Sequence, residues 1–144
     1  MNKIISTIVA CATLASPFAM TGVASAAPGG VASKNHVSAM LEEVGGSGVE
    51  GFVDLRQQKQ GTKIVLLGFG LQPGHDYASL YYSNHKCDLE PYSADDVIGG
   101  IYTANAVGVG FTHGEADDDL DEINSVSIRD AETFDLLACA NVHP

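Results

Sequence analysis

Three histidines and a cysteine in the middle of the chain are the residues best suited to chemistry. His75, His85 and Cys87 fall within or at the end of "GLQPGHDYASLYYSNHKC" (Gly70 to Cys87), and His113 follows in "FTHGE". Imidazole and thiolate are the usual copper and zinc ligands, so His75, His85 and His113 are the one trio from which a transition-metal site could be built. His85 and Cys87 form a His-x-Cys pair, but a cysteine engaged in a disulfide has no thiolate to offer. His75 stands between a turn glycine and Asp76, a setting that equally suits a surface ion pair. His36 and His143, near the two ends of the folded region, read as solvent-facing.

Carboxylates give a second possibility. "EADDDLDE" (Glu115 to Glu122) holds six acids in eight residues, and Asp117, Asp119 and Asp121 alternate as calcium-loop oxygen ligands do. The central glycine and the later bidentate glutamate of such loops are missing, so a solvated, self-repelling loop is the plainer reading. No serine has a Gly-x-Ser-x-Gly setting, and no glycine loop precedes a helix to cradle phosphate. The glycines of "VIGGIYTANAVGVG" fit bulges or bends better. Tyr77, Tyr81, Tyr82, Tyr92 and Tyr102 read as half-buried strand residues.

Residues 1–26 look like a secretory signal peptide. Lys3 precedes the apolar "IISTIVACATLASPFAM", and Ala24 and Ala26 form an Ala-x-Ala cleavage site. "IVAC" offers lipidation at Cys11 as the rival, but the apolar run continues past it. Export would leave six Lys and Arg against eighteen Asp and Glu, a charge of about −12, which makes nucleic acid and anionic membranes poor partners. It would also leave two cysteines, Cys87 and Cys139, and two cysteines in an exported chain favour one disulfide. The expected destination is the medium, the cell envelope or a periplasm, with no integral membrane segment after cleavage.

These groups must be carried by β-structure. Residues 27–36 are small and polar and read as a flexible lead. Beyond them, short runs rich in Val, Ile, Leu, Phe and Tyr alternate with Gly, Pro, Asn and Asp clusters. Strands are expected over Val37–Glu43, Val49–Gln57, Lys63–Leu71, Tyr77–Ser83, Val107–Thr112, Asn124–Asp130 and Phe134–Val142, with another near Tyr102. Lys63–Leu71 is apolar on both faces and so reads as central. The spacing predicts one all-β domain over 37–144, a sandwich or small barrel of seven or eight antiparallel strands.

Four ordered stretches resemble the copper/zinc superoxide dismutase family: "GVEGFVDLRQ" with its preceding strand, the "GLQPG" turn, Cys87 downstream, and "LACANV" (Leu137 to Val142) at the end. The resemblance implies an eight-stranded Greek-key β-barrel with Cys87 bonded to Cys139. It also implies copper histidines at Ser79 and Tyr81, another at Arg129, and a guiding arginine at Leu136. None of the four holds the expected residue. The loop corresponding to the zinc ligands is reduced to "DLEPYSADD" (Asp88 to Asp96), without histidine, and the one that steers superoxide is cut to "DAETFD". A copper redox site needs several fixed nitrogen ligands.

The leading expectation is therefore a secreted, non-catalytic superoxide dismutase-like module with no cofactor, binding an unidentified protein or small ligand or serving a structural role. The alternatives are a divergent copper or zinc enzyme using His75, His85 and His113, and a calcium-dependent binding protein using Asp117, Asp119 and Asp121.

Overall fold

A computed structural model describes residues 32–143 of the chain. The expected signal peptide over 1–26, and the lipidation alternative at Cys11, lie outside them. Nine strands follow in order: β1 (Ala32–Ser33), β2 (His36–Glu43), β3 (Glu50–Gln57), β4 (Thr62–Phe69), β5 (Asp76–Tyr82), β6 (Tyr102–Thr103), β7 (Gly110–Ala116), β8 (Ser125–Asp130) and β9 (Leu136–Asn141). All pairings are antiparallel, in the order β6-β5-β8-β9-β2-β3-β4-β7, with short β1 added beside β2. The chain crosses from β4 to β5, returns to lay β7 against β4, and crosses again to lay β8 against β5. The result is a Greek-key, nearly closed barrel. Among the described residues, no helix is long and apolar enough to cross a membrane.

Side-chain alternation sets the inner face. Val53 and Leu55 of β3, Ile64 and Leu66 of β4, and Val126 and Ile128 of β8 all point into one interior cluster with Leu41, Tyr77 and Tyr81. The seam between β5 and β7 is filled by the segment at Val97–Gly99. There the Ile98 amide donates to the Ser79 carbonyl at 2.8 Å, and the Thr112 hydroxyl donates to the Ile98 carbonyl at 2.8 Å. Glycine is required at Gly99, where φ is 66° and a Cβ would lie 2.2 Å from the His113 carbonyl oxygen.

Three expectations need correction. The lead over 27–36 is paired backbone from Ala32 onward, because β1 hydrogen-bonds to β2 and His36 already opposes Arg56 of β3. The strand expected at Val107–Thr112 begins only at Gly110 and runs on to Ala116. Asn105 turns the chain first, its side-chain oxygen accepting from the amides of Val107 and Val109 at 3.0 Å. Finally, the strands covered on both faces are β5 and β8, buried at every residue over Tyr77–Tyr82 and Ser125–Arg129. On β4, Val65 and Leu67 are only half-buried. Leu67 stands in an outward cross-strand row with Met40, Phe52 and Phe111.

The outer face of β5 is covered by the chain that follows it. Ala78, Leu80, Tyr82 and Cys87 form a second small core, with Val97, Phe134, Leu136 and Cys139 packed against it. The Cys87–Cys139 disulfide clamps this layer, joining residues 52 apart. Closing a loop of that length contributes about 4 kcal/mol by the loop-entropy argument. Reduction, or the Cys87→Ser/Cys139→Ser pair, should lower stability by about that amount in urea unfolding. No change in midpoint would mean that the outer layer holds without its bond.

Candidate functional site

The pleat of β5 decides what its residues can do. Ser79 and Tyr81 belong to the face that looks into the barrel, whereas Ala78, Leu80 and Tyr82 belong to the outer one. Arg129 opposes Ala78 in the register and Ile128 opposes Ser79, so Arg129 shares the outer face. The positions aligned with copper ligands, Ser79, Tyr81 and Arg129, are thus divided between the two sides of one sheet. Ser79 is fully buried, and its hydroxyl is hydrogen-bonded to that of Tyr102 at 2.8 Å. Burial pushes the Tyr102 phenol up to about 12. Tyr77 accepts from the Gln72 amide at 2.8 Å, which ties the Gly-Leu-x-Pro-Gly turn to the strand.

On the outer face Arg129 is a hub. Its Nε donates to the Tyr82 hydroxyl at 2.9 Å, and its two Nη atoms donate at 2.8 Å to the carbonyls of Phe134 and Cys87. The Tyr82 hydroxyl is bonded in turn to Ser127 at 2.7 Å. Among the described residues, Cys87 (φ 56°) and Phe134 (φ 65°) are the non-glycine residues with left-handed backbone. Each such residue costs on the order of 1–3 kcal/mol. Both give their carbonyls to this one guanidinium. Leu136, aligned with the guiding arginine, opposes Arg129 at a β-bulge and packs into the outer core.

The histidines do not converge. His75 Nε2 meets Asp130 at 2.7 Å before β5, and His85 Nδ1 meets Asn141 at 3.1 Å beyond its other end. A seven-residue strand, roughly 20 Å long, separates them. His113 is exposed on β7, its ring centroid 5.7 Å from that of Phe111. Among the described residues, no group of three or more His, Cys, Asp or Glu is placed to hold a metal ion. His36 and His143 are not free in solvent. The His36 ring is half-buried against Asp54, and His143 Nε2 donates to the Leu120 carbonyl at 2.8 Å. Burial opposes charge on Asp54, but hydrogen bonds from His36, Ser38 and Arg56 outweigh it and hold its carboxyl below the usual value.

The acidic run also differs from its reading. β7 ends at Ala116, and the chain then turns around the buried Leu120 and Ile123. Asp117, Asp119 and Asp121 therefore share no strand face. Asp119 accepts from the Gln57 side chain at 2.7 Å. The residue that reaches a cavity is Asp118. This cavity, of about 380 Å³, lies where β5 ends, and Tyr81, Tyr82, Tyr92, Glu90, Asp96 and Asp118 line it. Tyr92, read as half-buried, is 51% exposed and stacks on Phe134 at 5.5 Å.

Glu90 and Asp96 are fixed in place. Glu90 accepts from the Ser83 amide (2.8 Å), the Ser83 hydroxyl (2.9 Å) and Asn84 (3.3 Å). Burial works against its charge, but these bonds win and hold its carboxyl below the usual value. Asp96 accepts from the Ser93 amide in a capping box around the 3₁₀ turn Ala94–Asp96. Ser93-x-x-Asp96 is the one part of this lining with a local sequence signature. Nothing in the sequence joins residues 90–96 to residue 118.

No protein-family model matches the chain, and no curated protein matches it either.

Two measurements follow from this geometry. Arg129→Met would leave the carbonyls of Cys87 and Phe134 without their donor and the Tyr82 hydroxyl with Ser127 alone, so a loss of about 3 kcal/mol or more is expected in denaturant unfolding. A loss below 1 kcal/mol would show the hub to be dispensable. The second concerns acid. Amide bonds from Thr133 and Glu132, with His75, hold the Asp130 carboxyl below its usual 3.8 despite burial. Its contribution is complete above the unfolded value and is lost as pH falls through the lower folded one. Asp130→Asn should therefore reduce the fall in stability below about pH 4 relative to the unsubstituted protein, while a parallel pH curve would contradict this role.

Proposed function

We propose that the chain is a secreted, non-catalytic binding module on a superoxide dismutase-like barrel. The observation that carries the reading is the division of Ser79 and Tyr81 from Arg129 across the two faces of one sheet, with each side chain used otherwise. Ser79 is hydrogen-bonded inside the barrel to Tyr102, and Arg129 holds the outer loops. Substituting histidine at all three positions would not bring three imidazoles to one ion.

Support for the scaffold half of the reading comes from the Greek-key barrel and the Cys87–Cys139 bond, both implied by the resemblance. A persistent disulfide also suits an oxidising compartment outside the cytoplasm. The enzyme alternative would need His75, His85 and His113 to meet, which their separate partners oppose.

The test is metal analysis and a dismutase assay on protein purified without chelator and then exposed to copper and zinc. Activity no greater than that of equimolar free copper, abolished by dialysis, is expected. Superoxide removal that stays with the dialysed protein, at one copper per chain, would overturn the reading.

A further inference from the structure

We propose that the outer face of the β2-β3-β4-β7 sheet is a self-association surface, on which a second copy of this chain packs about a two-fold axis. None of its residues carries the reading of the barrel as a binding module, so the two stand or fall separately.

Alternation gives this sheet an outer face with an apolar centre. Met40, Phe52, Leu67 and Phe111 are cross-strand neighbours in one unbroken row. Met40 is 44% exposed, Phe52 52% and Phe111 55%. Phe69 extends the row, its ring edge-on to that of Phe52 at 6.2 Å. The other large apolar side chains that are well exposed, such as Leu89 and Val107, stand on loops. Single residues of that kind are ordinary, whereas a contiguous patch marks an interaction surface.

The charges on the face decide what covers it. At one end His36 lies beside Arg56, and Arg56 beside Lys63, on neighbouring strands. Like charges so placed repel. Arg56 gives its Nε to Asp54 at 2.9 Å, but Lys63 has no ion-pair partner among the described residues, not even Glu115 beside it on β7. At the other end stand Glu42 and Glu50, both exposed and neither paired with a cation among the described residues. Along the strands the face therefore runs from cationic through apolar to acidic. The acidic run after Ala116 leaves it, turning across the barrel end where Leu120 and Ile123 are buried.

Such a stripe is its own complement under a two-fold axis. An axis lying across the strands reverses the strand direction between facing copies. Set midway between the rows of Phe52 and Asp54, it leaves Arg56 and Glu50 each three residues, about 10 Å, to either side. Arg56 of one copy then meets Glu50 of the other, and His36 meets Glu42 in the same way. Val65 lies over Leu67. Phe52 covers Asp54, whose carboxylate is already bonded to His36, Ser38 and Arg56. An axis along the strands would instead set cations on cations. Sheets pack in this manner about 10 Å apart and within about 30° of alignment.

Size sets the strength. Four strands of seven or eight residues give roughly 500 Å² of face per copy. The total of about 1,000 Å² is the lower bound for a specific interface. Eighteen acids against six Lys and Arg among the described residues of each copy add repulsion at long range. The dimer is therefore reversible, with a dissociation constant of about 100 µM.

The test is sedimentation equilibrium of the disulfide-bonded protein from about 10 µM to 1 mM, with thermal unfolding of each variant to confirm its fold. Concentration-dependent exchange of monomer and dimer is expected. Phe52→Glu should weaken dimerisation about tenfold or more. Leu89→Glu, the same change at a 51% exposed loop position, should leave it unchanged. Arg56→Glu and Glu50→Arg should each weaken it about fivefold or more, because each sets two pairs of like charges together. An equal mixture of these two variants should restore it, since both crossed pairs in the mixed dimer are opposite in sign. If Phe52→Glu does not fold, the mixture carries the test alone, with the apolar row intact. A chain still monomeric at about 1 mM would assign the face to another partner and overturn the proposal. So would equal losses from Phe52→Glu and Leu89→Glu, or a mixture no tighter than its two components.

Discussion

One buried guanidinium organises the outer half of this barrel. Arg129 has no carboxylate partner among the described residues, so its charge is stabilised by two backbone carbonyls, a phenol and the ring of Phe134, 5.6 Å away. Burying an unpaired cation is expensive unless its donors are used. Here they are used on the carbonyls of Cys87 and Phe134, where the chain adopts left-handed backbone. The disulfide fixes the loop to β9, and the guanidinium fixes the same loop to β8. Two restraints of different chemistry thereby hold one covering layer.

That layer gives β5 two cores. The inner face packs against the barrel and the outer one against residues 87–97 and 134–139. The outer face is where Arg129, Ser127 and Tyr82 meet, and it is filled by a hydroxyl network and apolar side chains. The inner face ends in Tyr81, the point at which the barrel interior opens to the acid-lined cavity. Any recognition at this end would draw on a strand whose position is set from both sides, which favours a preformed site over one that orders on binding.

Much of the architecture is legible in the sequence because apolar and polar residues alternate cleanly. Val53, Leu55, Ile64 and Leu66 declare an inner face, and glycine and proline clusters mark the turns between strands. The glycine-rich stretch before β7 was less legible, since Asn105 and Gly108 form a turn that looks like a strand start in composition. Facing was the harder question. "YASLYY" is apolar at nearly every position, so it carries no mark of which residues look inward, and a one-residue change of register exchanges the faces. The partners of His36 and His143 were invisible for a related reason, because Asp54 and Leu120 are distant in sequence. Cavity residues 90, 96 and 118 are joined only by the crossover that lays β7 beside β4.

The position of β9 has a consequence for the order of events in folding. This strand is the last among the described residues, yet it sits between β8 and β2 in the middle of the sheet order. β2 can pair with β3 as soon as both exist, but its other edge waits for Ala138 and Cys139. The barrel therefore cannot close on a chain that still lacks β9, and its contacts are dominated by long sequence separations of the kind that fold slowly. Synthesis from the N-terminus leaves this barrel open until β9 arrives.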